Sequence, residues 1–158
     1  MDSTQLKARL SDLGLELPPS PAAGGNYKPW TIDAGLFMTS GQVSRDGRQV
    51  IEGPVRDASD LPRARDAARV AMLRCLSALS EATAHGMRVQ NAVSLRGFIA
   101  CVEGFGDQPK VLDAASDLLV EVLGDRGEHV RSAIGVSSIP SNGLLELELT
   151  VRCDRAAS

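Results

Sequence analysis

With 158 residues, 43% of them hydrophobic and 23% charged, the chain has the size and make-up of one soluble domain around one core. Aromatic residues are only 3%, so Leu, Val, Ile and Ala must fill that core. The formal net charge of −3 gives no basic surface with which to displace counterions, which argues against nucleic acid and against an anionic membrane surface as partners.

Three cysteines, Cys75, Cys101 and Cys153, lie far apart with no CxxC spacing. They signal neither a zinc site nor a redox pair, and an odd count fits a reducing cytoplasm. His85 and His129 are too isolated to suggest a metal cluster. The first residues alternate charge with Leu and contain no apolar signal-peptide core. No run approaches the ~20 apolar residues that span a bilayer. A cytoplasmic location is expected.

In chain order, Leu6, Leu10 and Leu13 form one helical stripe over residues 4–13, with Ser3 as the expected N-cap and Gly14 as the stop. This helix, residues 1–16, is set apart from a single domain over 17–158. Residues 17–26 are a Pro/Gly-rich connector. Strand-like runs follow at Tyr27 to Asp33 and Leu36 to Val43, joined at Ala34-Gly35. Asp46-Gly47 is a turn, and a short third strand is expected around Gln49 to Ile51.

Asp60 with Pro62 starts a long helix ending near His85-Gly86. Its small face, Ala67, Ala71 and Ala78, suits close packing on a sheet. Residues 89–102 favour a strand with Val93, Leu95, Ile99 and Cys101 on one parity. Pro109 opens a second helix, carrying Leu112, Leu118 and Leu119, that ends at Gly124. A closing hairpin is expected, Val130 to Ser138 and Leu144 to Arg152, turning at Pro140 to Gly143. In its second arm Leu145, Leu147, Leu149 and Val151 alternate with polar residues and must face the core. The fold class is thus α+β, a mixed sheet with two long helices on one face. The other face needs a cover, which an oligomer would supply.

Candidate chemistry sits in three places: Gly127 to Ala133, Glu146, and Thr39 to Gln42. If Ile134 and Val136 face the core, Arg131 and Ala133 point to the opposite face, which Glu146 would share. A guanidinium there can clamp a small carboxylate, and a nearby carboxylate can position or deprotonate water. The bland alternatives stand beside these readings. Arg and Glu on neighbouring strands also make ordinary surface pairs. Ser40 can be a plain strand end, and Tyr27 loop packing. No catalytic triad, metal cluster or phosphate loop is present in the pattern.

Several segments in order resemble the RidA/YjgF family, in its branch with an added N-terminal helix. They are Leu13-Gly14-Leu15, Asn26-Tyr27, the run LFMTSGQ from Leu36 to Gln42, Val93 to Val102, His129-Val130-Arg131-Ser132-Ala133, and Ile139-Pro140 through Glu146. The resemblance implies a chorismate-mutase-like fold, a homotrimer with clefts between subunits, and no cofactor or metal. It implies hydrolysis of reactive 2-imino or 2-enamino acids to 2-keto acids with release of ammonia. It assigns the substrate carboxylate to Arg131, the attacking water to Glu146, and the cleft wall to Tyr27, Ser40 and Ala133. Ala133 stands where archetypal members often have Cys, and Gly135 where they commonly have an acid; both departures bear on substrate range. The alternative is a non-catalytic trimer that binds a small carboxylate metabolite. A label of RNA cleavage, carried by some relatives, fits an acidic chain least well.

Overall fold

A computed structural model describes residues 1–155. Helix α1 (Ser3–Asp12) is capped by Asp2, not by Ser3. The Asp2 carboxylate accepts from the Gln5 amide at 3.0 Å, and the Gln5 side chain accepts from the Asp2 amide at 3.0 Å. This reciprocal box satisfies two N–H groups that a first turn leaves open, which one Ser hydroxyl could not. Leu6 and Leu10 are buried in the common core, and the Arg9 guanidinium donates to the Glu121 carbonyl.

The first expected strand starts late, at β1 (Trp30–Asp33). Pro29 has no amide to give a ladder, and Tyr27 is held in a tight turn by its own amide bond to the Gly25 carbonyl at 2.9 Å. The second run divides into β2 (Leu36–Thr39) and β3 (Gln42–Val43), both laid along β8 (Leu145–Arg155). The break falls at Ser40-Gly41, because the Ser40 amide turns back to the Pro29 carbonyl at 2.9 Å. The Thr39 hydroxyl accepts from the Leu149 amide instead, at 3.0 Å. A small ribbon, β4 (Arg45–Asp46) and β5 (Gln49–Val50), closes around Gly47.

Helix α2 (Leu61–Ala84) carries Pro62 in its first turn and buries Ala64, Ala67, Ala68, Ala71 and Ala78 completely. It packs against α3 (Gln108–Leu123), and both lie over one face of the sheet. Strand β6 (Met87–Ala100) bears register shifts at Val89/Asn91 and Ala92/Ser94. The second shift switches parity, so Ala92 and Leu95 are both buried. From Leu95 onward the odd positions face the helices. Gly97 is where α3 comes closest: a Cβ there would lie 2.3 Å from Leu112 Cδ1.

The closing hairpin does not form. Strand β7 (Val130–Val136) pairs in parallel with β6, and β6 separates it from β8. The sheet runs β1-β2-β8-β6-β7, and β6-α3-β7 is a parallel crossover unit. Pro140 to Gly143 is therefore part of a connection past β6, not a two-strand turn. In β8 the expected alternation holds: Leu145, Leu147, Leu149 and Val151 are at most 1% exposed, burial worth about 1.5–3 kcal/mol for each Leu. The opposite face carries Arg96, Phe98, Val130, Ile134 and Glu148, with Val130 70% and Ile134 49% exposed.

Candidate functional site

Aligned residues on paired strands share a face, so register places each candidate side chain. Arg131 lies opposite Leu95, a core residue, and so projects toward the helices. Glu146 lies opposite Phe98 and projects from the uncovered face. The expectation that Arg131 and Glu146 share a face is corrected. Ile134 and Val136 do not face the core; Arg131 and Ala133 are on the helix side. The cause is the crossover: α3 lies over β7 and supplies partners to the side chain of Arg131 from that face. At Gly135 a Cβ would lie 2.8 Å from both Cys101 Sγ and Gln108 Nε2. A larger residue at that position would have to displace the Gln108 and Cys101 side-chain ends.

Arg131 is held from α3. Its Nη1 donates to Asp113 Oδ1 at 3.0 Å and to Ser116 Oγ at 3.1 Å. The Gly127 carbonyl can only accept, so His129 Nδ1, 2.6 Å away, carries the ring proton. His129 Nε2 is then left to accept from the Ser116 hydroxyl at 3.0 Å. Three side chains thus fix one corner of the guanidinium. Its Nη2 and Nε have no protein partner among the described residues. The Arg131 side chain is 25% exposed, at the outer edge of the sheet. Ala133, half-buried, lies two residues along the same strand face.

Glu146 belongs to a second cluster, at the break in the other edge. Gly41 sits so close that a Cβ on it would lie 1.5 Å from Glu146 Oε1. Only a glycine leaves the carboxylate this place. Glu146 is half-buried and has no hydrogen-bond donor among the described residues. Burial first, then the charge of Glu148, pushes its pKa above the ordinary carboxylate value. Ser40 donates to the Lys28 carbonyl at 2.5 Å, strapping the Tyr27 segment to the end of β2. Tyr27 is 57% exposed, and its phenol oxygen accepts from the Gly24 amide at 3.2 Å, leaving the phenol hydrogen for another acceptor.

The structure therefore brings Tyr27, Ser40 and Glu146 to one region, and Arg131 and Ala133 to another across β6 and β8. The surface pair weighed for Arg131 and Glu146 exists elsewhere, as Arg96 with Glu148 at 3.3 Å on the open face. Sequence reasoning missed Asp113 as the guanidinium's anchor. Its signal was a helical spacing, Asp113 and Ser116 at i and i+3, which presents both side chains on one face. It also missed Gly41 as the seat of Glu146. Among the described residues no group of His, Cys, Asp and Glu is placed to hold a metal ion, and no helix is long and apolar enough to cross a membrane.

A mixed sheet covered on one face by two helices, with a parallel β6-α3-β7 crossover, is the chorismate-mutase-like α+β architecture. Residues 7–151 match the family described as "YjgF/chorismate mutase-like, putative endoribonuclease", and the chain belongs to this YjgF/RidA family. It is 29% identical over 151 residues to Protein TCP17 of Trypanosoma cruzi, covering 94% of each chain. The crystal structure of Atu1372 from Agrobacterium tumefaciens, of unknown function, shares 32% identity and a TM-score of 0.82 over 96% of each chain. RidA from an Antarctic Psychrobacter shares the fold, with a TM-score of 0.58, 18% identity, and coverage of 84% of this chain and 93% of that one.

Proposed function

We propose that the protein hydrolyses reactive 2-imino or 2-enamino acids to 2-keto acids, releasing ammonia, as a homotrimer whose sites lie between subunits. One observation carries this reading. Each chain holds two half-sites, an anchored guanidinium with a free edge and a partly desolvated carboxylate without a donor, and its own sheet keeps them on opposite faces. Neither half completes the chemistry alone. A neighbouring copy docked on the open face supplies the missing half. Val130 and Ile134, large and apolar on the Arg131 strand, are the surface such docking would bury.

In the assembled cleft the free Nη2 and Nε of Arg131 grip the substrate carboxylate through two parallel bonds. Ala133 and Ser40 shape the cleft, and the Tyr27 phenol donates to a substrate oxygen. The imine carbon is already electrophilic, so orientation and one placed water suffice. Glu146 takes a proton from that water as its oxygen bonds to the imine carbon. The proton passes to nitrogen, giving a carbinolamine; its hydroxyl proton then moves to the amine by way of Glu146, the C–N bond breaks as the C=O bond forms, and the products are the 2-keto acid and ammonia. No step requires a metal or cofactor. A carboxylate raised toward neutrality by burial is a better base for this than an exposed one.

The test is ammonia and keto-acid formation from freshly generated imino acids, wild type against Arg131→Ala. Loss of a charge-assisted bond pair should lower kcat/KM about 100-fold. Unchanged turnover in that variant would refute the clamp. Binding of a 2-keto acid with no turnover by the wild type would select the alternative, a trimer that binds a carboxylate metabolite. Tight, salt-sensitive RNA binding would instead revive the endoribonuclease of the family description, which a net charge of −3 opposes.

A further inference from the structure

Beside β3 a cavity of about 360 Å3 opens between Tyr27, Gln42, Arg45, Arg74 and Ser141, with Gly41 in its wall. It shares Gly41 with the Glu146 carboxylate, which does not itself line it. Two arginines share it. Arg45 reaches only the Ser141 hydroxyl, at 3.4 Å. Arg74, half-buried on α2, has no hydrogen-bond partner among the described residues, and its Nε is fully covered. Among the described residues no carboxylate lies within 4.0 Å of either guanidinium.

Neighbouring like charges partly removed from water are costly unless something neutralises them. Desolvation first, and the Arg45 charge second, lower the Arg74 pKa, the mark of a cation that lacks a counter-charge. Gln42, 4% exposed, has an Oε1 with no donor. The cavity thus offers two cationic forks, the free Tyr27 phenol hydrogen, and one buried acceptor for a water or protonated oxygen.

We propose that this cavity holds a second anionic group, a carboxylate or phosphate, at the far end of the substrate. Resting on the deaminase reading, this names the substrate class: imines of diacids, gripped at one end by Arg131 and at the other by Arg45 and Arg74. Neutral imino acids would leave the two guanidinia unneutralised and bind less well.

Calorimetry on the full chain decides it, using a 2-oxo dicarboxylate, the 2-oxo monocarboxylate of equal length, a 2-oxo acid with a terminal phosphate, and inorganic phosphate. The wild type should bind one dianion about 10–100-fold tighter than the monocarboxylate, and which dianion wins tells carboxylate from phosphate. Arg74→Gln and, independently, Arg45→Gln should bring that ratio to within about threefold, while Arg74→Lys retains part of it. Equal affinity of the wild type for mono- and dianions, or an unchanged ratio in both Gln variants, would overturn the proposal. Ammonia release from imines of acidic and neutral amino acids separates the two readings. Equal turnover of both imines, with a ratio insensitive to Arg74→Gln, removes the anion cavity and leaves the deaminase. No turnover of either, with the dianion preference intact, removes the deaminase and leaves the cavity.

Discussion

Gly41→Ala separates the chemistry from the fold. An Ala Cβ at position 41 would lie 1.5 Å from Glu146 Oε1, 2.4 Å from Cδ and 2.9 Å from Cγ. Ordinary contact begins near 3.4 Å, so the carboxylate must retreat by roughly 2 Å. All three clashing atoms belong to a flexible side chain on the open face, so the backbone can stay. The rotamer change costs about 0.5–1.5 kcal/mol, and the stiffer unfolded chain returns about 0.4–1 kcal/mol. Moving a desolvated carboxylate toward water is itself favourable. Net stability should change by less than about 1 kcal/mol. Catalysis should not survive so well, since a misplacement of about 1 Å can cost on the order of 100-fold. Denaturant unfolding and steady-state ammonia release, measured on the same preparation, are the assays. Full activity in Gly41→Ala would show that the Glu146 position is unimportant to turnover. A loss of more than about 3 kcal/mol would show that the backbone, not the side chain, had to yield.

Asp113→Asn keeps the acceptor that positions Arg131 and removes a competing charge, so calorimetry should find 2-keto acids binding about fivefold tighter, on the order of 1 kcal/mol. Weaker binding would mean that the ion pair itself holds the productive geometry. Gly97→Ala forces a methyl to within 2.3 Å of Leu112 under α3, and urea unfolding should record a loss of about 1–3 kcal/mol from overpacking. For pH, the folded-state pKa of Glu146 lies above 4.5, so the native state binds the proton more tightly than the unfolded state does. Glu146 should thus lower stability as pH rises from 4.5 through that raised value and then level off. Subtracting the stability-against-pH curve of Glu146→Gln from that of the wild type isolates this fall, and parallel curves would contradict it.

How much of this was legible in the sequence differs from element to element for physical reasons. The last strand could be read residue by residue, because Leu145, Leu147, Leu149 and Val151 bury one face against helices of the same chain. Alternation there has a single explanation. The two long helices were equally plain, each with a Pro in its first turn and a small or apolar stripe. The strand bearing Arg131 was misread from the same kind of pattern. Val130, Ile134 and Val136 look like a core face, and Arg131, Ala133 and Gly135 look like a surface. Periodicity reports which side is apolar, not what lies against it. In this parallel crossover α3 lies over the Arg131 side of the strand, and a Cβ at Gly135 would meet the Gln108 and Cys101 side chains. Arg131 is tolerated there because Asp113 and Ser116 satisfy it. The apolar side faces outward, with Val130 and Ile134 still in solvent in a single chain. An apolar strand face that the chain itself does not cover is what the proposed trimer would bury. The misplaced parity therefore has a local cause: β7 turns Arg131 toward Asp113 and Ser116 of α3, and its apolar residues to the face the helices leave open.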